Sequence, residues 1–393
     1  MRNWPMKPIG EVALVTAGDP APQRPEDFSH DGIPFVRMQD IGRFGQTTCL
    51  TETKDRLSLS ASHRFKRFPA GSILVPKSGA SIRLNHRAIL GIEAHVVSHL
   101  AVIVPSPLLN TRFAYYWLCT TDLSSVAHQA DLPSMKISDL AKLQLPVPPH
   151  KEQERIVKHL DEADELRKLR AKSDRRTVEL IPALFHELFG DPATNPKRWP
   201  MRRVGDLVAS CIYGTSKKSN EDGLGIQIIG MGNITIDGRL ELKDAKSVKL
   251  DNGELAKQRL QVGDILFNRT NSRELVGKTA MWEGGFDAVP ASYLIRVRFR
   301  PEIEHAQHFA VFMNLPSTKR RLTAMARGAV GQANINSKEL QSIEIPVPPF
   351  SPQNNFAEQV QHIHELEARQ AASRLRLEAL FQSLLHHAFN GEL

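Results

Sequence analysis

Trp4-Pro5-Met6 returns as Trp199-Pro200-Met201, and Leu145-Pro146-Val147-Pro148-Pro149 returns as Ile345-Pro346-Val347-Pro348-Pro349. After each Pro-Val-Pro-Pro the two copies align at a constant offset of 200 with no gap: Gln153 with Gln353, Leu166 with Leu366, Leu184 with Leu384, His186 with His386 and Phe189 with Phe389. Ahead of it the alignment drifts, from Ile9-Gly10-Glu11-Val12 against Val204-Gly205-Asp206-Leu207 to Gly71-Ser72-Ile73-Leu74 against Gly263-Asp264-Ile265-Leu266. Apolar anchors persist there while the loops between them differ. A period near 200 residues exceeds any solenoid or propeller unit and points to tandem domains. The expected order is variable module (1–149), near-constant segment (150–190), variable module (191–349) and near-constant segment (350–393).

The near-constant segments read as long amphipathic helices. In the first, Ile156, Leu160, Ala163, Leu166, Leu169, Ser173, Thr177, Leu180, Leu184 and Leu188 step by three or four residues; Phe356, Val360, Ile363, Leu366, Ser373, Leu377, Leu380, Leu384 and Ala388 repeat the seam. A helix from Lys151 to Phe189 reaches about 58 Å, with a kink expected near Pro182. Two such seams are expected to bury each other as an antiparallel coiled coil about a pseudo-twofold axis, since the Gly190–Pro200 linker is short.

In the modules, short β-branched runs separated by Gly and Pro predict strands at Ile33–Met38, Ser72–Val75, Val96–Val97 and Ala101–Val104. Their counterparts are Ile226–Ile229, Asp264–Phe267 and Tyr293–Val297. One helix follows in each, around Phe113–Leu118 and His308–Met313. The fold class is therefore α+β: two mixed α/β modules separated by two long helices.

The net charge of +8 divides unevenly along the repeat. Residues 1–150 carry 16 Lys/Arg against 12 Asp/Glu and residues 192–350 carry 23 against 16, whereas 151–191 carry 9 against 10 and 351–393 carry 3 against 5. All the positive excess lies in the variable modules, which points to a polyanion partner, nucleic acid above all. No run of apolar residues is long enough to span a membrane, and no signal-peptide pattern opens the chain, so a cytoplasmic protein with no membrane partner is expected. Cys49, Cys119 and Cys211 lie far apart and outline neither a disulfide framework nor a zinc site.

Motifs for catalysis are weak. Pro348-Pro349-Phe350 has the outline of the signature with which amino-methyltransferases hold a base, but Val347 stands where a polar acceptor is needed. Neither a Gly-rich cofactor loop nor a phosphate-binding loop is present. Glu241-Leu242-Lys243 with Asp237 upstream resembles a metal-nuclease triplet, yet nothing equivalent occurs in the first copy. His95 with His99, His362 with His364 and His386-His387 lack partners at metal spacing. The chain reads as noncatalytic, with neither metal nor cofactor of its own.

The polar loops that leave matched strands are more informative. Asn268, Arg269, Thr270, Asn271 and Arg273, followed by Lys278, correspond to Lys77, Ser78 and Arg83, followed by Asn85 and Arg87. Arg and Lys can pair with guanine edges and Asn or Gln with adenine, or either can hold phosphate. Further candidates are Arg37 and Gln39 against Asn233, Tyr213 with Lys217 and Lys218, and the turns Ser134–Lys136 and Gln332-Asn334-Asn336.

The alternation of variable module and near-constant helix, together with Gly263-Asp264-Ile265-Leu266-Phe267-Asn268-Arg269-Thr270 and the Ile345-Pro346-Val347-Pro348-Pro349 run leading to Gln353, resembles the DNA-specificity subunit of type I restriction-modification systems over essentially the whole chain. The resemblance implies two target-recognition domains that read an asymmetric bipartite double-stranded DNA site. It also implies spacer helices that dock two modification (methyltransferase) subunits, to which restriction (motor and nuclease) subunits are added. Adenosylmethionine and adenine methylation would belong to those partners. Other readings are a specificity subunit of a type IIB or other phage-defence methylation system, and a self-sufficient methyltransferase or nuclease. Ser351-Pro352-Gln353-Asn354 departs from Lys151-Glu152-Gln153-Glu154, so docking at the second copy is expected to differ slightly.

Overall fold

The computed structural model describes residues 4–43, 49–84, 86–125, 127, 133–220, 223–242, 246–301, 303–326 and 333–393. The two tags that announce the repeat are hydrogen-bonded partners. Met6–Pro8 pairs antiparallel with Gln144–Pro146, and Met201–Arg203 pairs in the same way with Glu344–Pro346. The Val147 and Val347 N–H groups then donate to the carbonyls of Pro5 and Pro200, each at 2.9 Å. Each module is thus closed by its own first and last residues.

Within the first module, Ala13–Ala17, Leu100–Pro105, Ile73–Pro76, Ala88–Leu90 and Cys49–Leu50 lie side by side in that order, antiparallel except for the last pair. A second sheet sets Phe28–Val36 between Asp55–Leu57 and His95–Val96. The second module repeats the arrangement with Val208–Tyr213, Leu294–Phe299, Ile265–Asn268 and Thr279–Met281 in one sheet, and with Ile226–Ile229 between Lys246–Val248 and Ala288–Pro290 in the other. Gly71 and Gly263 enter the matched strands at φ +88°, a left-handed turn that glycine makes without strain. The helices Thr111–Thr120 and Ala306–Asn314 cover the first sheets, burying Phe113 and Tyr116 in one module and Phe309 and Phe312 in the other.

The first long helix runs from His150 to Val178, and a second piece follows from Leu180 to Phe189. The first piece ends at Val178, four residues before Pro182, because in an unbroken helix the proline ring would collide with the Val178 carbonyl. The C-terminal helix, Phe350–Phe389, is continuous and carries Gln382 at the position equivalent to Pro182.

The chain forms two compact units: Met1–Ala171 with Ala372–Leu393, and Lys172–Ala371. Both boundaries fall after equivalent alanines, so each unit holds one module, the start of that module's helix and the end of the other helix. In the first unit Phe113 packs on Phe389 and Tyr116 on Phe381, while Arg155 reaches the Leu393 carbonyl and Arg167 pairs with Glu378. In the second, Phe185 and Phe189 pack on Phe356.

Gln153 and Gln353 are fully buried and make the same bonds. Gln153 accepts from the Asn110 N–H and donates to the carbonyls of Leu108 and Pro148; Gln353 accepts from the His305 N–H and donates to those of Ile303 and Pro348. The matched glutamines latch each helix to its own module.

The predicted seam is not buried along its length. Leu166, Leu169, Leu366 and Leu380 are 50%, 53%, 42% and 49% exposed. In the first unit the inward positions near them are taken by Arg167, which lies 4.1 Å from the Phe381 ring centre and bonds Asp164 and Glu378. Burial is concentrated where the modules cover the helices, at Ile156, Leu160, Phe185, Phe356 and Val360.

Candidate nucleic-acid interface

One backbone node recurs in both modules. Where the strand Ile73–Pro76 ends, the Lys77 N–H donates to the His99 carbonyl (3.0 Å) and the Lys77 carbonyl accepts from the Met135 N–H (2.8 Å). Where Ile265–Asn268 ends, the Arg269 N–H donates to the Tyr293 carbonyl (3.0 Å) and its carbonyl accepts from the Ile335 N–H (2.9 Å). Three distant segments therefore meet at the same point of the fold twice. The strand ends bring them there, and the register of the sheet fixes which residues face each other.

The side chains at the node differ. In the first module it gathers Lys77, Ser78, His99, Ser134 and Lys136, with Ser78 Oγ and His99 Nδ1 hydrogen bonded at 2.7 Å. In the second, Thr270 and Asn271 pair with Asn334 and Ala333, and Asn336 caps the helix Ser337–Gln341 in a reciprocal box with Glu339. The Arg269 guanidinium lies 4.8 Å from the ring centre of Tyr213, whose hydroxyl accepts from the Ser337 N–H at 2.9 Å. Tyr213 and Tyr293 are 42% and 49% exposed.

The other sequence candidates divide into surface and interior. Gln39, Arg83, Lys136, Lys218 and Arg273 are exposed. Arg37 pairs with Asp55 and lies over Phe28 and Phe35, 5.4 Å from each ring centre. Lys217 is held by Glu254 and Asp251, and its bond to Glu254 raises its pKa. Asn233 accepts from the Gly230 N–H at 2.9 Å and donates to the Glu241 carbonyl, the capping task that Asp40 performs at the Arg37 N–H.

Three candidates face inward. Arg87 is 4% exposed and donates to the carbonyls of Leu118 and Thr121; burial lowers its pKa to about 10. Lys278 donates to the carbonyls of Met231 and Ile234, tying the loop after Ile226–Ile229 to the neighbouring sheet. Asn268 is fully buried at the strand's last position. Asn85 and Gln332 lie outside the described residues, as does Lys243 of the nuclease-like triplet.

His99 and Tyr293 were not legible as members of the node. Each is the residue before a core strand, and only the pairing of that strand with the one ending at Lys77 or Arg269 brings it there. Among the described residues no group of His, Cys, Asp and Glu could hold a metal ion, and no helix is long and apolar enough to cross a membrane.

A family model described as the type I restriction modification DNA specificity domain matches residues 1–175 and again 196–372. The chain is 24% identical over 424 residues to the type I restriction enzyme EcoKI specificity subunit of Escherichia coli strain K12, covering all of this chain and 89% of that one. Its fold is similar to a chain solved in work on complex assembly and conformational transition of the type I R-M system (TM-score 0.64, 20% identity, 99% of this chain and 98% of that one). It is also similar to the type I restriction-modification S subunit of M. genitalium (TM-score 0.57, 15% identity, 98% and 96% covered).

Proposed function

Because the chain belongs to the type I restriction modification DNA specificity family, we propose that residues 1–149 and 191–349 are target-recognition domains that each read one half of an asymmetric bipartite duplex site. The chain is a DNA-specificity subunit of a type I restriction-modification system and leaves catalysis to other subunits. The observation that carries the two-headed reading is the shared node: identical backbone bonding presents Lys77, Ser78 and Lys136 in one module and Arg269, Thr270, Asn271 and Asn334 in the other. A common frame with different side chains suits two readers of different sequence.

In this mechanism the basic modules hold phosphate and the node side chains select base edges. Exposed Arg83, Lys218 and Arg273 serve the first task, as do Arg37 and Lys217 if their carboxylate partners yield to phosphate. The segments 150–190 and 350–393 act as spacers, packed as an antiparallel coiled coil about a pseudo-twofold axis. Support comes from the unit boundaries at Ala171 and Ala371 and from the pairing of Arg155 with Leu393 and of Arg167 with Glu378. Leu166, Leu169, Leu366 and Leu380 are uncovered apolar positions on those helices and suit docking of two modification subunits, to which restriction subunits add. Since both Gln153 and Gln353 face inward, the divergence of the residues around Gln353 leaves the latch intact. The working compartment is the cytoplasm, where the DNA is.

The test is to express the chain with its modification subunits and map methylated adenines. Two short specific blocks separated by a fixed unspecific gap are expected; a single contiguous motif would overturn the two-module reading.

A further inference from the structure

The aromatic pair beside Arg269 has no counterpart in the first module. Gly18 and Gly214 donate to the carbonyls of Leu100 and Leu294, which aligns Ala17 with Tyr213, and the node aligns His99 with Tyr293. The first module thus offers a flexible lysine beside small and polar groups. The second offers a guanidinium beside an aromatic ring. Its Cζ lies over the Tyr213 ring, 4.8 Å from the ring centre, and that ring is pinned by the bond from the Ser337 N–H. Its Nε is buried without a hydrogen-bond partner, while the residue as a whole is half-buried and so reaches the surface. Among the described residues the one bond those nitrogens make is a long one, from Nη1 to the Ser292 carbonyl at 3.4 Å.

Such an edge is two parallel N–H donors with little internal use. In the major groove guanine alone presents two acceptors on one edge, O6 and N7; adenine sets a donor beside its acceptor, cytosine offers a donor, and thymine a single acceptor beside a methyl group. Stacking on an aromatic face favours arginine over lysine, and it fixes the plane that bidentate pairing requires.

We infer that Arg269 reads a guanine in the half-site of the second module and that Tyr213 is the positioning residue that fixes its plane. This rests on the two-module reading above and adds to it a base, a position in the fold and a second residue. Neighbouring Asn334 and Thr270, within 3.4 Å of each other, lie on the strand pair that leaves the same node and would face the adjacent base pair.

The experiment uses the full chain assembled with its modification subunits and the motif found by methylation mapping. Each guanine of the second half-site is replaced in turn by 7-deazaguanine, which lacks the N7 acceptor. The wild-type complex is expected to lose about 10- to 100-fold in affinity at one guanine. Arg269→Ala should show no loss at that guanine and unchanged discrimination throughout the first half-site, which also reports that the variant is folded. Tyr213→Ala should blunt the same discrimination, whereas Tyr213→Phe, which keeps the ring and loses the bond from the Ser337 N–H, should fall between that variant and the wild type; equal discrimination by Tyr213→Ala and the wild type would remove Tyr213 from the positioning role.

The inference is overturned if the second half-site contains no guanine. It is equally overturned if Arg269→Ala weakens binding to every sequence alike with a salt slope smaller by about one, the mark of a phosphate contact. In both cases two specific blocks would still be found, and the two-module reading would stand. A wild-type complex that methylates one contiguous motif would instead remove that reading, and this inference with it.

Discussion

At the scale of the residue, the glutamines after each Pro-Pro show how a matched position acquires meaning. Their equivalence was legible in the sequence, but their direction was not, because a helix N-terminus can present a polar side chain either to solvent or to a loop. Here each is buried and satisfies one N–H and two carbonyls. Gln353→Leu would leave those groups of His305, Ile303 and Pro348 unpaired, and an expected loss of roughly 2–4 kcal/mol should appear as a lower urea midpoint for the second unit. Gln153→Leu should do the same to the first.

Lys319 gives a pH dependence at the same scale. Burial, with the nearby charge of Lys278, lowers its pKa from 10.5 to about 7, although Nζ donates to the Gly277 carbonyl. Between those two values the unfolded chain binds more protons than the folded one. The second unit should therefore gain stability as pH rises from about 7 towards 10.5, and the cost of burying the charge is fully present below pH 7. Melting temperatures across that range should rise in the wild type and flatten in Lys319→Met; an unaltered slope in the variant would assign it to another group. The burial of Arg87, Asn268 and Lys278 was not legible in the sequence for a related cause. Arg87 and Lys278 precede the short strands Ala88–Leu90 and Thr279–Met281 and Asn268 ends Ile265–Asn268, where a one-residue difference in register decides between surface and interior.

At the scale of the element, the two long helices form a natural controlled comparison. Pro182 breaks one at Glu179, and Gln382 leaves the other whole. Pro182→Ala removes the ring that meets the Val178 carbonyl, so amide exchange from Glu179 to Ala183 should slow; unchanged exchange there would mean that packing of Phe185 and Phe189 sets the break instead. Both helices and the core strands were legible because period and Pro-Pro punctuation act locally. The exposed seam was not, since whether Leu166 or Arg167 faces inward depends on what the opposite segment brings, in this case Phe381.

At the scale of the molecule, duplication and charge layout were readable from the order of residues along the chain, while the way the helices are shared between units was not. If the helices act as a spacer, matched insertions of four residues after Ala171 and Ala371 add about 6 Å, close to two base-pair steps. Methylation mapping should then show a longer gap between unaltered half-sites; altered bases in either half would argue that the modules themselves had been disturbed. Binding by the assembled complex should also weaken steeply as salt rises, because the positive excess lies in the modules.

The division of the chain carries one more consequence. The second unit is a single stretch, Lys172–Ala371, whereas the first is completed by Ala372–Leu393. On the ribosome, then, the unit that begins later is complete earlier. The first-made module lacks the rings that pack on Phe113 and Tyr116 until Phe381 and Phe389 have been synthesised. A message interrupted after Ala371 would release a chain that holds the whole of its second unit and lacks the last helical piece of its first.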